Sequence, residues 1–426
     1  MIMYDRIRKF GEWFLTFAIV ASLLAGPMPA RAQTYPGIIG VEASCSGSGP
    51  YVDLAKTLRP FSVIGTGGNT PTDANGWPTT DGETVLMDER PLPAWAPPID
   101  DPAGYQPDMS GVYNCSFTGQ ATLGTSGGSV ITFANQIYNS GTNTTTFTFT
   151  VPSGTYLTAP ALVVIDFSNT KRTAASATNT GITNLVCIRP GYPAGSTQIF
   201  TNQFTNAFAP FGYVRYKDWV ATDHNPGYYG DSGHHLINWS DRGLPSDASQ
   251  GNTALHPGAH GNAWEYTILL ANQLNKDAWI SIPVEATGYN TTDTTSYIYQ
   301  LALLFKNGDA FTGGVGLKPG LHLYLEHSNE VWNFSYGQYT WNKLEAVDAV
   351  AGTGSLGTTH VNSDGSTDQE IWAHRRHAER LYEIAQIFAA VFGTGSLNTT
   401  LRPVYLFAGV LLGRAYLDEH SVWGAE

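Results

Sequence analysis

The stretch LHLYLEHSNEVWN, residues 321–333, begins as a β-strand and ends as a cluster of polar and aromatic residues. Leu321, Leu323 and Leu325 alternate with larger polar or aromatic side chains, which is the period of two that a strand shows. Residues 327–333, in contrast, contain a single aliphatic side chain. This change predicts a buried strand whose carboxyl end presents functional side chains.

The chain on both sides of this stretch alternates strands with helices. Predicted strands lie near 213–219, 278–284, 321–327 and 402–408, and predicted helices at 262–277 and 369–393. A further helix, in the run TTSYIYQLALLFKNG, ends where Gly308 supplies a C-cap. Strands of nearly continuous apolar character between helices predict a parallel sheet with helical cover.

Three of the predicted strands end in polar or aromatic residues. These ends are Asp218-Trp219, Glu285, and the run from Asn329 to Trp332. In parallel α/β folds, ligands meet the carboxyl ends of the strands. The three strand ends therefore predict a binding site at one edge of the sheet.

The chain before residue 190 has a different composition. Residues 65–190 place Gly, Ser, Thr and Asn turns between short β-rich runs, and TTTFTFTV (144–151) alternates strictly, which predicts a β-sandwich-like domain. Residues 33–64 contain a short strand, IIGVEA, and a short helix, which we interpret as the first βα unit of the parallel sheet, with the sandwich inserted after it. The alternative is an N-terminal strand of the sandwich. Residues 191–426 hold strands two to five.

Residues 1–32 have the pattern of a secretory signal peptide. Basic residues precede the apolar run LTFAIVASLLAG, and Ala30-Arg31-Ala32 gives a small-x-small cleavage pattern. About a dozen apolar residues are too few to span a bilayer as an anchor. We therefore expect a secreted or periplasmic protein without stable membrane insertion after cleavage.

The charge balance narrows the class of partner. The full chain carries a net charge of −13, and removal of the signal segment would change this to −15. An acidic chain disfavours nucleic acid as a partner. It is compatible with a neutral, hydroxyl-bearing ligand. No glycine-rich phosphate loop or G-x-S-x-G elbow occurs, so no cofactor is expected.

The three cysteines match no zinc or redox spacing. In an oxidising compartment one pair can form a disulfide. Cys45 with Cys115 is the pairing we favour, because both lie beside Gly/Ser-rich turns. Three unpaired thiols, including that of Cys187, are the alternative.

An Asn-Glu pair that closes a parallel strand, with aromatic residues just beyond it, resembles the fourth strand of the clan of retaining (β/α)8 glycoside hydrolases. The blocks RYKDW, NPGYYGDSGHHLINWSDRGLP, AWEYTILLANQLNKDAWISIP and LYLEHSNEVWN together resemble secreted bacterial proteins described as cellulose-binding or uncharacterised barrel proteins. The resemblance covers residues 205–345 well and 36–60 loosely. It implies an α/β fold of the (β/α)8 TIM-barrel type.

The resemblance also implies roles for individual residues. Glu330 would be the general acid/base, and Asn329 would hold the sugar 2-hydroxyl. Trp332 and Tyr336 would offer apolar ring faces to a pyranose. Arg215 resembles the arginine that hydrogen-bonds the nucleophile in the clan; an ion pair with Asp218 is the alternative. At Glu285 related sequences often have a histidine, so its role is open between sugar contact and salt bridge.

The segment 213–260 holds further candidates for sugar contact. Its aromatic candidates are Trp219, Tyr228, Tyr229 and Trp239, and Asp218 lies at the strand end that precedes them. Five histidines, from His224 to His260, lie in the same segment with several aspartates. Without the ligand spacing of a metal site, we interpret them as hydroxyl-binding groups and assign no metal. Calcium held by loop carboxylates and carbonyls is the alternative.

The number of strands departs from the family pattern. Five strands can be counted from IIGVEA onward, and sixteen residues follow Val410, too few for three more βα units. The expectation is therefore an incomplete barrel, truncated at the C-terminus, in which the nucleophile of strand seven has no position. The expected function is hydrolysis of an extracellular β-glucan-type polysaccharide. Non-catalytic carbohydrate binding on the same scaffold is the alternative.

Overall fold

The computed structural model describes residues 39–43, 49–89, 109–153, 161–222, 236–251, 261–353 and 361–406. The predicted signal peptide, Cys45, Tyr228, Tyr229 and the loop histidines lie outside these residues. None of the helices within the described ranges is both long and apolar enough to cross a membrane.

A five-stranded parallel sheet forms one half of the described structure. Its strands, in the order in which they pair, are β1 (Gly40–Glu42), β9 (Tyr213–Arg215), β10 (Asp277–Ile282), β11 (Leu323–His327) and β12 (Leu401–Pro403). The α-helices are α1 (Asn202–Ala207), α2 (Trp264–Leu274), α3 (Tyr297–Asn307), α4 (Gly337–Ala351) and α5 (Gln369–Phe392). Gly308 caps α3 with a φ of 67°, a conformation that glycine adopts without strain, as the sequence predicts.

The prediction of an incomplete (β/α)8 TIM-type barrel is wrong. In the described residues the parallel sheet is open: β1 pairs only with β9, β12 pairs only with β11, and the two other sheets are antiparallel. The sequence misleads here because alternating strands and helices with polar strand ends are common to open sheets and barrels. Only pairing between the first and last strands closes a barrel.

The two faces of the parallel sheet differ in chemistry. One face is apolar: Val214, Ile280 and Leu325 are fully buried in a core that is completed by α2, α3 and α5. Because successive side chains of a strand point to opposite faces, Arg215 and Glu326 lie on the other face. The helices therefore cover one face, and the polar and aromatic side chains occupy the other.

Two antiparallel sheets share a second core. Strands β5 (Thr132–Asn139), β6 (Thr144–Val151), β3 (Gly111–Thr118) and β8 (Thr183–Ile188) form one sheet, and β2 (Gly82–Glu89), β7 (Ala161–Lys171) and β4 (Gln120–Gly124) form the other. The phenylalanines of TTTFTFTV face the buried side of β6, as strict alternation predicts. Phe117 meets Phe167 across the sheets at 5.4 Å between ring centroids.

The short N-terminal segment is shared by both halves. β1 pairs in parallel with β9, although β2 to β8 lie between them in the chain. The 3-10 helix Leu54–Thr57 instead contributes Leu54 and Ala55 to the core of the antiparallel sheets. The strand and the helix of residues 33–64 therefore pack in different cores.

The disulfide joins Cys115 to Cys187, so the predicted pairing of Cys45 with Cys115 is wrong. The two residues lie directly opposite each other on β3 and β8. Sequence reasoning missed this pairing because the cysteines lie 72 positions apart and nothing local indicates that their strands are neighbours.

Candidate active site at the carboxyl edge of the parallel sheet

Arg215, at the end of β9, joins several strands. Its guanidinium donates to both carboxylate oxygens of Glu326 from Nη2, at 2.9 and 2.8 Å, and Nε donates to the same carboxylate at 3.1 Å. Nη1 donates to Glu42 on β1 at 3.3 Å. The paired fork of an arginine on a carboxylate fixes direction as well as charge. Arg215 thus ties β9 to β11 across β10.

Glu326 is the buried anion of this network. Its residue is 2% exposed, and it also accepts from the Trp279 indole and the Ser281 hydroxyl, each at 2.8 Å. Burial raises the pKa of this carboxyl, while Arg215 and the two side-chain donors lower it. The net effect raises the pKa of Glu326, and its carboxyl group is held in place by Arg215, Trp279 and Ser281. The sequence contains a signal for its position, since Tyr324 and Glu326 share one face of β11.

Glu42 and Asp218 form the outer part of the network. Lys217 contacts both carboxylates, at 3.6 Å to Glu42 and 2.6 Å to Asp218. The backbone N–H of Asp218 donates to Glu42 at 3.2 Å. Partial burial and the neighbouring Asp218 raise the pKa of Glu42, and Lys217 and Arg215 lower it. Arg215 therefore pairs with glutamates, and Asp218 pairs with Lys217.

The turn after β11 has an unusual backbone. Ser328 has a φ of 58° and Glu330 a φ of 46°, both in the left-handed region that non-glycine residues avoid. Such residues cost about 1–3 kcal/mol each and are concentrated at functional sites. Between them lies the buried Asn329, whose Oδ1 accepts from Arg215 at 2.8 Å and whose carbonyl accepts from the Gln338 side chain at 2.6 Å. The arginine network thus holds the strained turn.

This turn brings Glu330 to the partly exposed rim of the sheet. One of its carboxylate oxygens accepts from the Asn333 side-chain amide at 2.8 Å. The loop that follows carries three aromatic residues: Trp332 and Tyr336 are partly exposed, and Phe334 is 82% exposed. A carboxylate and accessible rings therefore lie within one short segment.

A second aromatic group lies below the arginine network on the same face of the sheet. The rings of Tyr213, Trp279 and Tyr324 lie 5.9 Å apart, pair by pair, and all three residues are partly exposed. The Arg215 guanidinium lies over the Trp279 ring at 5.5 Å. Sequence reasoning missed this group because the three residues lie on three strands.

Several predicted sugar contacts lie elsewhere. Trp219 is fully buried and stacks on Tyr51 and Phe204 in the core, so its ring is not accessible to a ligand and we withdraw its predicted role. Trp239 packs edge-on against Tyr297 and beneath the Arg242 guanidinium. Glu285 is buried.

Two histidines pack on the helical side of the same strand end. Nδ1 of His327, the last residue of β11, lies 2.9 Å from Nδ1 of His377 on α5, and the rings stack at 5.1 Å. Burial lowers the pKa of His327 well below its usual value and that of His377 to about 3. Arg376 lowers both further, and Arg380 lowers that of His327. Both imidazoles are thus neutral at pH 7.

No family model, curated protein or solved structure matches this chain. Within the described residues, no three side chains of the His, Cys, Asp and Glu types converge as they would around a metal ion.

Proposed function

We propose that the protein binds a neutral β-linked polysaccharide at the carboxyl edge of its parallel sheet and cleaves it with Glu330 as general acid/base. The observation that carries the proposal is the strained turn from Ser328 to Glu330. Its positive φ angles are maintained by the contact between Arg215 and Asn329, and they bring a carboxylate to the rim beside exposed aromatic rings.

The chemistry of these groups fits glycoside cleavage. A carboxylic acid at the rim can protonate the glycosidic oxygen as the bond breaks and then, as a carboxylate, deprotonate the incoming water. The side-chain amide of Asn333, which donates to Glu330, holds the carboxyl group in place. Aromatic rings with exposed faces bind the apolar side of a pyranose, as Phe334 and Trp332 can do here. The second carboxylate of a retaining pair is not assigned.

Carbohydrate binding without cleavage is the second candidate, and one observation favours it. Glu42 and Glu326, two further glutamates at this edge, are both ion-paired with Arg215. Glu326 is also only 2% exposed, so a substrate has little access to its carboxyl group. In this second case the hydrogen bonds of Arg215 would serve only to position Glu330 and the aromatic residues that follow it.

The test is the release of reducing ends from a panel of β-linked glycans. Glu330→Gln keeps the shape of the side chain but cannot transfer a proton, and we expect it to lower kcat/KM by about 100- to 10,000-fold. Glu370→Gln, which removes an exposed carboxylate on α5, is the matched control and should retain full activity. Binding without turnover in the unmodified protein would favour the second candidate. Turnover that survives Glu330→Gln would contradict the proposal.

A further inference from the structure

Two carboxylates of the antiparallel half lie directly opposite each other. Glu83 on β2 pairs in register with Asp166 on β7, and both residues are more than nine-tenths buried, with 9% and 8% of their surface exposed. Like charges at such short range repel strongly when they are removed from water. The pair therefore requires a positive partner or a shared proton.

Two loops cover this pair. The Gly65 backbone N–H and the Ser126 hydroxyl donate to Oε2 of Glu83 at 2.8 and 2.6 Å, and the Ser62 hydroxyl donates to Oε1 at 3.3 Å. These donors come from the segments SVIGTGGNT (62–70) and GTSGGSV (124–130), neither of which contains a charged residue. The Glu83 carboxyl group thus accepts three hydrogen bonds from two loops that carry no charge.

Asp166 lacks this support. Its Oδ1 is buried without a hydrogen-bond partner among the described residues. Within the described part of the chain, the Ser126 hydroxyl and Glu83 are the side chains that act on its carboxyl group, and β4, the strand on its other side, places Gly124 opposite it. Neither carboxylate forms an ion pair within the described part of the chain. The partnerless, buried oxygen of Asp166 and the adjacent carboxyl group of Glu83 together favour the binding of a cation.

We propose that Glu83 and Asp166 bind a divalent cation, and that this cation is calcium. Calcium prefers oxygen ligands from carboxylates, carbonyls and water and tolerates irregular geometry. The described surroundings of the pair supply oxygen ligands, namely the two carboxylates and the hydroxyls of Ser62 and Ser126. The cation would join β2 and β7 to the two glycine-rich loops and so close one side of the sandwich.

The test uses the full chain, freed of metal with a chelator. Calcium titration should give saturable binding of one ion per chain, and saturating calcium should raise the melting temperature of the unmodified protein by about 5 °C. Asp166→Asn should abolish this rise. It should also raise the melting temperature in chelator, because it removes the like-charge repulsion. A variant that merely damaged the fold would not show this second effect.

Two further variants test whether calcium binds at this pair of carboxylates. Glu83→Gln should also remove calcium binding, and Glu370→Gln, which removes an exposed carboxylate with the same change in charge, should keep it. The proposal is overturned if calcium neither binds nor shifts the melting temperature of the unmodified protein. A melting temperature that instead rises only with falling pH, and loses that rise in Asp166→Asn, would show that the pair shares a proton.

Discussion

Both the parallel sheet and the antiparallel sandwich bury carboxylates, but they surround them differently. In the parallel sheet, Glu326 meets Arg215, an indole N–H and a hydroxyl, so the chain itself supplies a cation and donors. In the sandwich, Glu83 faces Asp166 under two uncharged loops. The comparison teaches that burial alone does not define the role of a carboxylate; its partners do.

The largest effect on stability is expected in the parallel sheet, where Arg215 is the cation that pairs with Glu326. Arg215→Leu would leave Glu326 buried without its positive partner, and we expect a loss of about 3–5 kcal/mol in the free energy of unfolding. Adding Glu326→Leu should recover most of that loss, because the uncompensated charge is then gone. Urea unfolding of the single and double variants measures both values. Equal losses in the two variants would contradict the ionic account of this network.

The stability of the parallel-sheet half should decrease in acid because of a buried histidine. The folded pKa of His377 is about 3, below the unfolded value of about 6.5, so the unfolded chain takes up a proton between these values that the folded chain refuses. Stability is therefore complete above pH 6.5 and falls as the pH decreases, by about 2 kcal/mol between pH 7 and 5 from this residue alone.

Urea unfolding at a series of pH values checks this prediction. His377→Gln should flatten the dependence in that range, even if it lowers stability at pH 7. A slope unchanged by the substitution would show that His377 is not the group that titrates.

The exposed ring at the rim should affect binding and leave stability unchanged. Phe334→Ala is expected to weaken affinity for a soluble β-linked oligosaccharide by about tenfold, the scale of a partly buried aromatic contact. Ile137→Ala is the matched variant in the sandwich, since Ile137 is also largely exposed. Calorimetric titration of both proteins should show the loss only for Phe334. An equal loss of affinity in both variants would show that Phe334 does not form part of the binding site.

The smallest effect on stability is expected in the sandwich, where the removal of a carboxylate should raise the free energy of unfolding instead of lowering it. Burial and the neighbouring Glu83 raise the folded pKa of Asp166 above its unfolded value. Its contribution to stability is therefore complete below the unfolded pKa and is lost as the pH rises through the folded pKa. In chelator at pH 7, Asp166→Asn should raise the free energy of unfolding by about 1 kcal/mol. A decrease would show that the carboxylate stabilises the apo protein.

The sequence predicts the strands of the parallel sheet well and their assembly poorly. The period of two and the apolar runs locate β9 to β12, because side-chain burial is a local signal. Closure into a barrel, the Cys115–Cys187 bridge and the packing of Trp219 depend on contacts between distant segments. A family resemblance can suggest such contacts but does not demonstrate them.

In the candidate site, too, the sequence predicts local features and does not predict contacts between distant segments. Asn329, Glu330 and Arg215 could be named because the segments around them resemble the glycoside hydrolase clan, and the first two closely follow a predicted strand. Glu326 and Trp279 were missed, although they complete the network, because their roles come from the position of Arg215 two strands from β11. Strand alternation gives the face of a residue, and only the three-dimensional structure gives its partner.

Chemical rescue of Glu330→Ala tests the central claim most directly. An aryl β-glycoside with a good leaving group needs no general acid, so the variant should still cleave it, but slowly, because no base activates the incoming water. Sodium azide, a nucleophile that needs no base, should accelerate turnover at least about tenfold and yield a glycosyl azide, and it should have no such effect on Glu370→Gln. Turnover of Glu330→Ala at the rate of the unmodified protein, or the absence of azide rescue when the unmodified protein is active, would contradict the assignment of Glu330 as the general acid/base.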